Sequence, residues 1–305
     1  MTTLDNHALP VAVDPAAAGR QTTPRTPRRG KRMGRPSFLV YGFLAAVILG
    51  GAFPFYWSLL IGSGDSSTLR DTNRSWIPGG NFLANVGSVV GNPSINFWGA
   101  LANSIIVSTV VALSVVFFST LAGFAFAKLH FKGSKWLLVL VVATTAVPTQ
   151  LGVVPLFIVM SKLGWTGQLG AVIIPNLVTA FGVFWMTQYI RQVLPDEIVE
   201  STRIDGANSF VAFWLIVLPI ARPAASMLFL FTFIATWTDF FWPYIVLDAR
   251  NPTLPVSLRL LQANYFVDYS IVLAGALLAT LPLLFLFGVA GKQLVSGVMA
   301  GAVKG

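Results

Sequence analysis

The stretch EIVESTRIDGANSFVAFWLIVLP, Glu197 to Pro219, puts three of the chain's eleven acidic residues, Glu197, Glu200 and Asp205, into a sequence that is otherwise mostly apolar. Its local grammar is that of two helices with a corner between them. Pro195 has the fixed φ suited to a first helical position, and Asp196 and Glu197 fall in the first turn, where the helix dipole favours negative charge. Gly206 supplies the left-handed conformation that ends a helix, and Asn208 or Ser209 caps the next. Glu197, Glu200 and Arg203, spaced by three, share one polar face.

Outward from that stretch, the composition is that of a polytopic membrane protein. Of 305 residues, 55% are hydrophobic and only 10% charged, against about 25% charged in a soluble domain. Six apolar segments, near 38–61, 97–127, 136–160, 168–190, 223–246 and 270–291, reach the roughly 20 residues that a helix needs to cross a bilayer. The expected fold is all-α, with six transmembrane helices. Residues 1–37 are expected to be a disordered basic tail, too poor in large apolar side chains to fold alone. A transmembrane domain is expected over 38–292, with the loop 191–222 inside it and a C-terminal tail over 293–305. The first apolar segment reads as an uncleaved anchor, since 37 residues precede it and no small-residue cleavage site follows.

Lys and Arg set the orientation, because short loops rich in them stay in the cytoplasm. With the N-terminus inside, the two tails and the loops 128–135 and 191–222 hold 15 basic residues, against 5 on the other side. Both termini are therefore expected to be cytoplasmic, with 191–222 beside them. The net charge of +9 then reflects topology and contact with anionic lipid rather than nucleic-acid binding.

Within the apolar segments, Asp239 is the conspicuous ionisable group. A carboxylate near the bilayer centre costs about 2.5–3.5 kcal/mol, which surrounding Leu, Ile, Phe and Val offset. Such a group is either a solute contact or a buried hydrogen-bonding partner, through Thr238 or a backbone group freed by Pro243. Trp237 and Trp242 beside it supply aromatic faces. Pro148 and Pro155 in the third segment are expected to kink it, with Gln150 between them facing the freed carbonyls or a solute. Asn103, Ser104 and Asn176 fit interhelical hydrogen bonding equally well. Enzymatic chemistry has little to work with: the histidines are His7 and His130, cysteine is absent, and no metal-ligand cluster, Ser/His/Asp arrangement or Gly-Lys-Ser/Thr phosphate loop is visible.

The spacing Glu200, Gly206, Ile216, Leu218, Pro219 resembles the loop signature of permease subunits of ABC importers, with Ser201 and Thr202 in place of its two alanines. "ATWTDFFWPYIV", "TTAVPTQLGVVPLF" and "GVMAGAVKG" are similar to the fifth helix, third helix and C-terminal tail of carbohydrate importers, in particular the smaller maltose-type permease. The resemblance covers roughly residues 38–305. It implies that Glu197, Glu200, Arg203, Asp205, Gly206 and Pro219 couple the membrane helices to an ATPase. It makes Gln150, Trp237, Asp239 and Trp242 candidates for the solute path.

The partners implied are a second, non-identical permease, two copies of a cytoplasmic ATPase carrying ATP and Mg, and an extracytoplasmic sugar-binding protein. This chain itself is expected to bind no metal or cofactor and to sit in a bacterial plasma membrane. The loop 248–268 is expected to face outside and touch the binding protein through Leu258, Leu260, Leu261 and Phe266. The glycine-containing tail is expected to leave helical conformation and reach the ATPase pair. The competing readings are a secondary transporter driven by an ion gradient, which would want inverted repeats and several intramembrane charges, and an ABC permease for a solute other than a sugar.

Overall fold

A computed structural model describes residues 38–67, 75–262 and 267–302; the side chains of Arg203 and of residues 291–302 are outside that description. The N-terminal tail, Phe266 and Lys304 also lie outside the described residues. Every regular element among the described residues is helical. In chain order these are α1 (Phe38–Gly62), α2 (Phe82–Val90), α3 (Phe97–Lys128), α4 (Ser134–Thr144), α5 (Val153–Lys162), α6 (Gly170–Ile173) and α7 (Ala180–Val193). They continue with α8 (Asp196–Ile204), α9 (Ser209–Ala212), α10 (Leu218–Thr238), α11 (Phe241–Val246), α12 (Leu254–Leu260) and α13 (Tyr269–Ala302). Contacts divide the chain into two units, Met1–Gly51 and Ala52–Gly305. In the first, residues 38–51 are helix with exposed side chains; the rest of the description concerns the second.

Among the described residues, five continuous helical stretches are long and apolar enough to cross a membrane: Phe38–Gly62, Phe97–Lys128, Gly170–Val193, Ser209–Thr238 and Tyr269–Ala290. The third expected span, 136–160, is not a single kinked helix. It is two pieces, Ser134–Thr144 and Thr149–Lys162, meeting at 90°. Pro148 lies in the break, where it has no N–H to donate and steers the preceding residue out of helical conformation. Pro155 produces no break, because it falls in the first turn of α5, where N–H groups lack intrahelical partners anyway.

The fifth span differs too. It begins at Ser209 and runs through a π-helical turn, Phe213–Val217, into α10, so the second helix expected after Asn208 is continuous with the fifth span rather than a separate piece of the loop. It also stops earlier than expected, at Thr238. Asp239 is extended, with φ −66° and ψ 121°, and its carboxylate accepts a hydrogen bond from the Phe241 N–H at 3.2 Å. Pro243 is the third residue of the new helix α11, so it frees no backbone group.

Helices α3, α7 and α10 form the centre. Small residues let α3 and α7 approach closely, the usual way to gain packing where apolar burial alone gives no preference. A Cβ on Gly123 of α3 would lie 2.8 Å from the Met186 Cβ of α7, and one on Gly182 would strike the Ser119 hydroxyl. Val107, Val111 and Val115 of α3, Met186 of α7 and Ala221, Ala224 and Leu228 of α10 fill the common core.

One end of this centre is tied by Lys128 to Asp196 and by the Arg191 guanidinium donating to the Phe126 carbonyl at 3.1 Å. At the other end, Asn103 donates to the Pro252 carbonyl at 3.0 Å and the Leu254 N–H donates to the Ser104 hydroxyl at 2.7 Å. These two polar residues of the second span thus anchor the 248–268 segment. Its leucines are turned inward: Leu261 is buried and Leu258 and Leu260 pack against the same cluster as Leu254, so they do not form the exposed docking face expected of them. The C-terminal segment is also not the non-helical tail expected, since α13 continues through Gly297 and Gly301 to Ala302.

Candidate functional site

Two places in the fold gather the residues singled out by sequence. The first is the corner formed by α8 and the start of the fifth span. Thr202 and Ser201 donate their hydroxyls to the Ile198 carbonyl at 2.6 and 3.1 Å, so the two substituted alanine positions keep their polarity within the helix. The helix ends in a closed form: the Ala207 N–H reaches back to the Thr202 carbonyl at 3.1 Å across Gly206, which has φ +80°. That is the geometry that leaves a left-handed residue at the turn. The Asn208 side chain then accepts from the Val211 N–H at 2.9 Å and caps the next helix.

The corner is fixed to the bundle from beneath and bare above. Val199 is buried among Phe124, Ile190, Leu194 and Phe213. The Lys128 ammonium, whose side chain is 6% exposed, meets the Asp196 carboxylate at 2.6 Å. That hydrogen bond and charge hold the Asp196 carboxyl below its ordinary value. Glu197, Glu200 and Asp205 are exposed. So are Ile204 at 86% and Phe210 at 66%. Pro219 is exposed at the second position of α10.

The second place is a cavity of about 440 Å³ between α3, the fourth span Gly170–Val193, and α10. Asp239, Thr232 and Thr236 enter it from the fifth span, and Asn176 and Thr179 from the fourth. Phe181 and Phe231 present apolar walls, 48% and 42% exposed. Of the four residues expected along a solute path, only Asp239 lines this cavity. Trp237 is buried and its indole N–H is committed to the Ala279 carbonyl at 3.2 Å. Trp242 is likewise buried, donating to the Ala171 carbonyl at 3.0 Å. Gln150 is exposed in the turn Thr149–Gly152 and is not part of the lining. The missed residues Thr232 and Thr236 carry a readable signal: with Asp239 they recur at i, i+4 and i+7, one face of a helix.

The model of the family described as "Binding-protein-dependent transport system inner membrane component" matches residues 115–298, a range holding the corner and the cavity lining except for Val111. The chain belongs to that family. As a member of it, the protein is a multi-pass inner-membrane transport component rather than a catalytic one. This inner-membrane component is 32% identical over 210 residues to the arabinooligosaccharides transport system permease protein AraQ of Halalkalibacterium halodurans, covering 68% of this chain and 75% of that one. It is 29% identical to the trehalose/maltose transport system permease protein MalG of Thermococcus litoralis, covering 88% and 96% of the two chains. In fold it is similar to a chain from the crystal structure of a bacterial ABC transporter involved in the import of the acidic polysaccharide alginate, with TM-score 0.69, 21% identity, and coverage of 85% of this chain and 99% of that one. Among the described residues, no three His, Cys, Asp or Glu side chains cluster as a metal site.

Proposed function

We propose that this chain is a permease subunit of an ATP-driven bacterial importer for a disaccharide or small oligosaccharide, and that the α8 corner passes movement from a cytoplasmic ATPase to the membrane helices. The observation that carries the coupling role is the two-sided construction of the corner. Val199 and the Lys128–Asp196 pair bind it to α3 and α7, and Ile204, Phe210 and the carboxylates are left uncovered. A rigid helix with such footing transmits displacement that a mobile loop would absorb. In this reading Glu197, Glu200, Arg203, Asp205 and Gly206 meet the ATPase, and Pro219 marks where the lever joins the fifth span. The loop 191–222 is thus a coupling element within the permease domain 38–292.

The sugar assignment rests on two supports. Relatives named for arabino-oligosaccharides and for trehalose and maltose align with this chain. The cavity joins two phenyl faces with a carboxylate, an amide and three hydroxyls, the mixture of apolar surface and placed polar groups that a sugar site needs. The coupling end is cytoplasmic in this account, with both termini on that side, which agrees with basic loops 128–135 and 191–208 being tied together by Lys128 and Asp196. The partners are a second, non-identical permease, two ATPase copies holding ATP and Mg, and an extracytoplasmic binding protein. Residues 293–302 carry α13 on toward the ATPases.

The chain has no cysteine, so a single Ile204→Cys substitution gives a unique thiol for testing the coupling role. In membranes containing the assembled importer, that thiol is expected to crosslink to the ATPase subunit and to be shielded from maleimide. Free labelling at the rate of a solvent-exposed thiol, with no ATPase crosslink, would overturn the proposal.

A further inference from the structure

The Arg222 guanidinium belongs to neither place described above. Among the described residues it has no acidic partner and no hydrogen-bond acceptor, and it stands at the rim of a second cavity of about 420 Å³ between α3, α10 and α13. The rest of that wall is nearly all apolar. Ala225, Phe229 and Leu230 follow Arg222 along one stripe of α10, while Val116 of α3 and Leu286 and Ala290 of α13 complete the sides. The spacing from 222 through 225 and 226 to 229 and 230 is that of a single helical face. The crevice is therefore a furrow along α10 with one positive charge at its mouth.

The depth of that charge narrows what it can meet. The fifth span, Ser209–Thr238, is 30 residues long, whereas a hydrocarbon core of about 30 Å takes about 20 helical residues. Counted back from Thr238, the core ends near Pro219, which puts Arg222 within a turn of the headgroup boundary on the coupling side. A long Arg side chain at that level extends toward the headgroups. A guanidinium binds phosphate oxygens through its planar fork of donors. A protein helix filling the same furrow would have to bring an acceptor for the guanidinium at that depth, whereas a phospholipid brings an anion at the boundary and an apolar chain below it.

We propose that this furrow is a binding site for an anionic phospholipid of the coupling-side leaflet. The phosphate sits on Arg222 and an acyl chain lies along Ala225, Phe229 and Leu230 against Leu286. Because Pro219 and the π-helical turn lie immediately before Arg222 on the same continuous helix, the bound lipid touches the lever where it enters the membrane, and lipid charge acts on coupling.

The test is photolabelling of the assembled importer in nanodiscs, with a diazirine placed in the acyl chain of phosphatidylglycerol or of phosphatidylcholine. Phosphatidylglycerol is expected to label peptides containing Phe229, Leu230 or Leu286. Excess unlabelled phosphatidylglycerol should compete and phosphatidylcholine should not. Arg222→Gln should reduce the labelling at least several-fold, with Arg222→Lys retaining part of it. Equal labelling by the two lipids, or labelling indifferent to Arg222→Gln, would overturn the site, as would crosslinks from Leu286→Cys to the other permease showing that protein covers the furrow.

Discussion

Gly206 offers a measurement in which the backbone alone sets the size of the effect. Its φ is +80°, and a Cβ built there meets no heavy atom within 4 Å. Any cost of substitution within this chain is thus conformational rather than steric. A non-glycine residue held in left-handed conformation loses about 1–2 kcal/mol, with Asn at the low end because it visits that region most readily and a β-branched residue at the high end. A loss of that size lowers the population of the formed corner about 5- to 30-fold relative to competing conformations. ATP-driven uptake, assayed at matched membrane levels of Gly206→Asn, Gly206→Ala and Gly206→Val, is expected to fall in that order. Asn should stay nearest the parent protein and Val lose most activity while inserting normally. Parent-level uptake by Gly206→Val would refute the reasoning, and Asn performing as poorly as Val would show that φ is not what the corner requires.

Further outcomes follow from the same geometry. Asp239→Asn is expected to raise the uptake KM about tenfold with insertion unchanged, in line with losing a charge-assisted hydrogen bond worth about 1.5 kcal/mol; Thr236→Val should move KM the same way, and unchanged KM in both would remove the cavity from the solute path. Asp196→Asn strands the buried Lys128 ammonium, while Lys128→Met leaves a hydrated carboxylate, so thermal denaturation in detergent should show Asp196→Asn to be the more damaging of the two. The Asp196 carboxyl lies below its ordinary value because of Lys128, so the contact's contribution is present above the ordinary aspartate value and is lost as pH falls through the lowered one; exchange protection of α8 amides should hold across neutral pH and drop only in acid. Gly123→Val places a Cβ 2.8–2.9 Å from Met186 and the Thr187 nitrogen, an overpacking worth about 1–3 kcal/mol that a lowered thermal midpoint would report.

Hydropathy made most of the spans legible because each is a simple excess of apolar residues. The places where spans break were less legible. Pro148 announces an interruption but carries no angle, and the 90° turn depends on how α5 packs against α11 and its neighbours. The end of the fifth span at Thr238 was hidden by the aromatic run that follows, although Asp239 ahead of Phe241 is a short side chain suited to catching a backbone N–H. Trp237 and Trp242 had the right chemistry for stacking a sugar. Their indole donors, however, must be satisfied in an apolar interior, and the two carbonyls that do so, Ala279 and Ala171, are 42 and 71 residues away in sequence. The corner was readable in detail because its determinants, Asp196, Gly206 and Asn208, act within a few residues of one another.

The central claim is that ATP hydrolysed by a partner chain drives a sugar through a path this chain helps to form. It is tested most directly by uptake of a panel of labelled disaccharides and small oligosaccharides into proteoliposomes holding the assembled importer and its binding protein, with ATP inside or absent and the ion gradients collapsed. The account predicts accumulation of at least one sugar that requires both ATP and the binding protein and that survives loss of the gradients. Accumulation that continues without ATP and stops when the gradients are collapsed would contradict it.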